Sequence, residues 1–343
     1  MKRKTITGKG MVSLVLALSL ALPPVSLSGC GKAEEVSYAL VLSSSGLSGN
    51  KAAAQALNGL QTYAEEKGGI AARYEASGTD EEAREKAMAD AASDGADTII
   101  CVGTDMETAL YEAQNKNKDI HYVCLAGQPR KSAEDEAEIG ENTISIVFDA
   151  SQVGYLAGYV SVMDGRRHLA FLGGRESTDA MSYQTGFING AHAAASVVGI
   201  DPSSIAIDVV FTGSDSLSPV TMQQALDLYD GGAEIILAYG ESIVRAAAAA
   251  GEVRSRTVIS APSDMRSSSD AIIMGAIYNS AEAVESALAS AGSESFEGGT
   301  VASYGAAEKS IDLGIDYSKM ATFTENDYQA LYASLAAGNL TAG

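Results

Sequence analysis

The stretch over residues 145–174, SIVFDASQVGYLAGYVSVMDGRRHLAFLGG, restricts the fold of this chain more than any other. Ile144, Ile146 and Phe148 alternate as in a strand. Val153, Leu156, Ala157, Val160 and Met163 then recur at helical spacing, and residues 168–172 form a second apolar strand that ends in Gly173 and Gly174. Strand, helix and strand in that order make a βαβ unit, whose strands run parallel and need helices to cover their faces. Gly154, Ala157 and Gly158 let the helix backbone approach a neighbour closely. The double glycine lets a loop turn sharply at a strand's carboxyl end, the place where open α/β sheets bind ligands.

The same rhythm continues on both sides. Before the unit, strands are predicted over 36–42, 70–76, 97–102 and 120–126, with helices over 51–67, from Thr79 to about 93, and over 106–115. Thr79 with Glu82 reads as the capping box of the second helix. After the unit come a helix over 179–198, a strand over 205–211, a helix over 219–229, a strand over 234–239 and an alanine-rich helix to 250. A polar, acid-rich insert over 129–142 separates the halves. The pattern predicts an α/β chain of two doubly wound parallel-sheet lobes facing each other. Strands over 257–261, 271–278 and 300–304 and a helix over 281–291 follow a second lobe that is already complete, so they return across a hinge. Three crossings are expected, near Asp149, Pro262 and Gly298-Gly299. They assign 36–148 plus 265–297 to the first lobe and 149–264 plus 298–343 to the second.

Catalytic apparatus is missing. The chain has no G-x-S-x-G, no phosphate-binding G-x-x-x-x-G-K-[ST], no G-x-G-x-x-G and no C-x-x-C. Its three histidines, His121, His168 and His192, match no metal spacing and read as structural. No enzyme activity, metal or cofactor is expected. Cys101 and Cys124 lie in apolar strand-like runs and read as buried thiols on neighbouring strands. What remains is a set of strand-end loops: Ser43 to Gly46, Gly103-Thr104-Asp105, Gly127-Gln128, Gly173 to Arg175, Gly213 to Asp215, Tyr239 to Glu241 and Pro262 to Asp264. Hydroxyls, amides and acids collected at such ends suit a small polar ligand. The candidate ligand contacts are Ser44, Ser45, Asp105, Gly174, Tyr183, Tyr239, Glu241 and Asp264.

The start of the chain carries a different signal. Lys2, Arg3, Lys4 and Lys9 precede an apolar run over 11–22, and Leu27-Ser28-Gly29-Cys30 follows. The run is shorter than the roughly 20 residues of a membrane span. The segment resembles a bacterial lipoprotein signal peptide over 1–29, which implies cleavage before Cys30, lipidation of Cys30 and a short tether over 30–35 at the extracytoplasmic face of the cell membrane. The formal net charge of −21 repels phosphate backbones and excludes a nucleic-acid partner.

Phe148, Gly154-Tyr-Leu-Ala-Gly158, Phe171-Leu-Gly-Gly174, Gly186-Phe-Ile-Asn-Gly-Ala191, Gly232-Ala-Glu-Ile-Ile236, Glu297-Gly-Gly299 and Tyr304-Gly305 resemble the basic membrane protein family. Its members are PnrA-like, lipid-anchored substrate-binding proteins of ABC transporters. The resemblance implies a type I periplasmic-binding fold, a monomer partnered by an ABC permease, and capture of purine nucleosides. Where the family has an acid and an aromatic after the first strand, this chain keeps only Gln55, which joins the candidate contacts. Of the family's Val-Asp-x-Asp-Gln, Asp264 alone remains, and a lysine of the following strand falls near Tyr278. The expectation is therefore that purine nucleosides bind weakly and that another polar molecule, sugar-like or heterocyclic, is the cargo. A receptor-derived sensor that signals to a partner without delivering cargo is the alternative.

Overall fold

Alternation along each strand decides which helices cover it. In β1 (Tyr38–Leu42), Ala39 and Val41 point to one side and Leu40 and Leu42 to the other, and all four are buried. Burial on both faces is what a parallel sheet in the middle of an α/β layer requires. The computed structural model describes residues 37–47, 50–291 and 296–342. Cys30, the signal segment and the tether lie outside the described residues.

The described residues form two six-stranded sheets. The first contains β1, β2 (Ala71–Glu75), β3 (Thr98–Val102), β4 (His121–Leu125), β5 (Thr143–Phe148) and β11 (Thr300–Tyr304), in the order β11-β5-β4-β3-β1-β2 and parallel throughout. Helices α1 (Lys51–Lys67) and α8 (Ser280–Ala291) pack Ala53, Leu60, Val284 and Leu288 on the Leu40 face. Helices α2 (Glu81–Ser93) and α3 (Glu107–Lys116) cover the opposite face with Met88 and Leu110. Cys101 and Cys124 are register partners on β3 and β4, both buried and both free thiols.

The second sheet contains β6 (His168–Gly173), β7 (Ala206–Phe211), β8 (Ile235–Tyr239), β9 (Thr257–Ala261), β10 (Ile272–Tyr278) and β12 (Ile311–Ile315), in the order β12-β10-β9-β8-β6-β7. Only the edge strand β12 runs antiparallel to its neighbour. One face carries α4 (Ala150–Met163), α5 (Thr178–Val197) and α9 (Glu325–Ala336); the other carries α6 (Pro219–Asp230) and α7 (Glu241–Arg254). This architecture is the two-lobed α/β fold the sequence predicts.

The path between the lobes differs from expectation at two of its three crossings. The first falls at Asp149, between β5 and α4. The second is not near Pro262: β10 remains in the second sheet, parallel to β9, and the chain returns at Asn279. The third is not near Gly298-Gly299, because β11 hydrogen-bonds to β5 as the edge of the first sheet and the chain leaves after Tyr304. Residues 272–278 therefore belong with the second lobe, and 300–304 with the first. Short bonds tie the crossings together: the Asp149 amide donates to the Tyr304 carbonyl at 2.9 Å and the Asn279 amide to the Ser310 carbonyl at 2.8 Å. Strand β12 and helix α9, which the sequence reading does not predict, complete the second lobe.

Helix ends follow local chemistry. Asn50 caps α1 by accepting from the Ala53 amide, and Gly68 ends it at φ 72°, a left-handed conformation that glycine takes without strain. Asp80, rather than Thr79, caps α2, because its carboxylate reaches the Ala83 amide at 2.9 Å. Between α4 and α5 the expected close approach is present on both helices. A Cβ on Gly158 would stand 2.0 Å from the Phe187 carbonyl oxygen, and one on Gly190 2.0 Å from that of Tyr155.

Candidate functional site

Five helices of the two lobes begin around one cavity. Ala52 of α1, Glu107 of α3, Ala150 of α4, Asp179 of α5 and Ser280 of α8 each lie in a first helical turn, and all line a space of about 460 Å³. Strand-end residues complete the wall: Thr104 after β3, Gln128 after β4, Phe148 of β5, Tyr239 of β8, Pro262 after β9 and Tyr278 of β10. The position is the one a doubly wound sheet dictates, since parallel strands all end on the same side and each hands over to a helix N-terminus.

Aromatic rings form the hinge side of this space. Phe148 and Tyr278, from different sheets, stack with centroids 4.6 Å apart and planes 22° apart. The Tyr278 hydroxyl is hydrogen-bonded to that of Tyr183, which is buried. Tyr183 in turn lies 5.3 Å from Tyr239. Burial, and next the charge of Asp179, hold the Tyr239 phenol above its ordinary range. Burial does the same for Tyr278.

On the first lobe, Glu107 is nearly buried and both its oxygens are engaged. One accepts from the Gln128 amide at 2.7 Å and the other pairs with Nε of Arg130 at 2.8 Å. Arg130, from the acidic insert, is thereby fastened to the wall of the cavity. Asp179 faces it from the second lobe without an ion pair among the described residues.

Of the candidate contacts, Tyr239 lines the cavity and Tyr183 stands directly behind it. Gln55 and Asp264 share a smaller adjoining recess of about 210 Å³ with Lys51 and Ser263. There Arg266 grips Asp264 through two bonds of 2.9 and 2.8 Å. Burial would raise the Asp264 pKa, but these bonds prevail and leave it below the usual carboxylate range. The remaining candidates lie elsewhere. Ser44 and Ser45 are exposed, and Ser45 bonds to Ser43. Asp105 is exposed on a turn whose neighbour, Thr104, reaches the cavity instead. Gly174 is covered by Asp215, whose Oδ1 would lie 2.1 Å from an added Cβ. Glu241 pairs with Arg245 one turn along the exposed side of α7. The loops after β3 and β4 named from the sequence both reach the cavity, whereas Glu107, Arg130, Phe148 and Ser280, which also line it, are not among the candidates. An acid in a first helical turn beside a strand-end loop was the available signal for Glu107.

A model of the PnrA-like ABC transporter substrate-binding protein family, Bmp, matches residues 37–333. The chain belongs to the Bmp family. No curated protein matches the sequence. A solved ABC transporter solute-binding protein from Conexibacter woesei shares 18% identity and a TM-score of 0.63 over 89% of this chain and 98% of its own. A transcriptional activator of the comK gene from Bacillus halodurans reaches 0.64 at 14% identity, over 88% and 96%. AraP, an arabinose-binding protein from Geobacillus stearothermophilus, reaches 0.59 at 11%, over 86% and 99%. These likenesses establish the shared two-lobed fold. As a Bmp-family protein the chain is a substrate-binding protein of an ABC transporter, with a small ligand and a transporter permease as its partners. No helix among the described residues is long and apolar enough to cross a membrane.

Proposed function

We propose that this Bmp-family protein is a lipid-anchored extracytoplasmic receptor that closes two lobes on a small polar ligand and passes it to an ABC permease. The observation that carries the reading is the cavity itself, built from the helix starts and strand ends of both lobes and backed by the Phe148–Tyr278 stack where the chain crosses. A ligand touching both walls favours the closed arrangement by its differential contacts. Lipidation at Cys30 would hold the receptor at the membrane, and Cys30→Ser should leave an uncleaved precursor without lipid label.

The ligand is not an ordinary purine nucleoside on this reading. Phe148, the ring that the first sheet brings to this wall, is stacked on Tyr278, and Ala52 stands where α1 meets the cavity, so α1 offers a purine no aromatic face. Isothermal titration with guanosine, inosine and adenosine is expected to give affinities weaker than micromolar; tight nucleoside binding would restore the family's usual specificity. A sensor that signals without delivering cargo is the second reading, favoured by the fold shared with the Bacillus halodurans activator. Ligand uptake abolished by deleting the permease, and rescued with it, would decide for the receptor.

A further inference from the structure

Ser280 is the first residue of α8 and follows directly on the second crossing. Its side chain is completely buried on the cavity wall, and its Oγ has no hydrogen-bond partner among the described residues. A buried hydroxyl left unpaired is unfavourable in the free protein, so such groups in native structures ask for an explanation. The helix start beside it brings further donors. The first three amides of a helix have no carbonyl within the helix to bond, and the Ala283 amide is the first to do so, donating to Asn279. The starts of α1 and α4 also reach this wall, at Ala52 and Ala150, but there the side chains of Asn50 and Asp149 already take up the amides of Ala53 and Gln152. The nearby carboxylate of Glu107 is no competitor, because Gln128 and Arg130 occupy both its oxygens.

We propose that Ser280 and the first amides of α8 form the subsite that seats an acceptor oxygen of the ligand, a carbonyl or a carboxylate. The assignment rests on the receptor reading above and names the chemistry of its cargo. An oxygen held there is fixed to the first lobe one residue from the hinge, while the rest of the ligand meets Tyr239 and Asp179 on the second lobe. Ligand contact and lobe closure are thereby joined at Asn279. The two unlike walls also orient the ligand, acceptor end toward α8 and donor groups toward Asp179.

Matched pairs of probes test this by thermal shift and titration. Inosine and adenosine differ by a carbonyl against an amino group, L-phenylalanine and phenethylamine by a carboxylate, and L-arabinose supplies hydroxyls alone. In each pair the member with the extra acceptor oxygen should bind at least about fivefold more tightly, the weak absolute affinity of inosine notwithstanding. The stronger pair tells a carbonyl from a carboxylate. Ser280→Ala should remove most of that preference while leaving the melting temperature of the free protein unchanged or higher, since it deletes an unpaired buried group. The proposal is overturned if partners bind equally, if arabinose or phenethylamine alone binds, or if Ser280→Ala lowers the melting temperature and spares affinity. All of these leave the receptor reading intact. No response to any of the five probes would overturn the subsite, while the receptor reading stands or falls on the uptake assay above.

Discussion

Asp164 is a carboxylate almost wholly removed from water at the end of α4. It accepts from the amides of Thr322 at 2.8 Å and Phe323 at 3.0 Å and pairs with Arg166 at 2.6 Å. Burial by itself would raise its pKa, but those amides and the guanidinium prevail and hold it below the ordinary 3.8. A carboxyl lowered in this way contributes its full stability above that ordinary value, and the contribution is lost as pH falls through the lower folded value. Asp164→Ala should therefore cost about 2 to 4 kcal/mol at neutral pH. It should also flatten the acid limb of stability against pH, read by urea unfolding between about pH 5 and pH 2; an unchanged limb would remove Asp164 from the account. Tyr278→Phe poses a second residue-level question. The ring stack with Phe148 survives, but the buried Tyr183 hydroxyl loses its partner, an expected loss of about 1 to 2 kcal/mol in the same assay. At this scale the sequence is informative only for neighbours along the chain. Glu107 and Arg130 meet across two loops, and nothing in their local patterns announces the pair.

Helices α4 and α5 pack through glycines at helical spacing, Gly154 and Gly158 against Gly186 and Gly190. Each glycine lets a carbonyl of the other helix approach closer than any Cβ allows, so overpacking there is felt in the backbone rather than in a side chain that can swing aside. Gly158→Ala is expected to cost about 3 kcal/mol or more, whereas Gly199→Ala, a left-handed position with open space around it, should cost only about 1 kcal/mol. Comparable midpoints for the two variants in guanidinium unfolding would contradict this picture. The α4 pair is visible in the sequence because it interrupts an apolar helical stripe. Strand β10 shows the opposite case. Residues 272–278 are apolar enough to lie inside either sheet, and only the pairing with β9 tells which. That ambiguity displaced the second crossing to Pro262, and a similar one at β11 displaced the third.

The molecule as a whole is held by pieces of chain that are far apart. The first lobe needs α8 and β11 as much as β1 to β5, because Val284 and Leu288 fill the core against Leu40 and Ile100. A chain ended after Tyr278 keeps five strands of each sheet yet leaves the apolar side of α1 uncovered. It should bind a hydrophobic dye strongly and lose its first lobe to a protease before its second. Equal resistance of both lobes in that truncated chain would show that α8 is dispensable. The three crossings also have a consequence for how the protein is born. As the chain emerges from its N-terminal end, everything required for the first five strands appears early, but the helix that seals them arrives only after the neighbouring lobe has been synthesised. The first lobe must wait with an open side while the second takes shape, so a factor that shields apolar surface during export has the most to do on the earlier half of the chain.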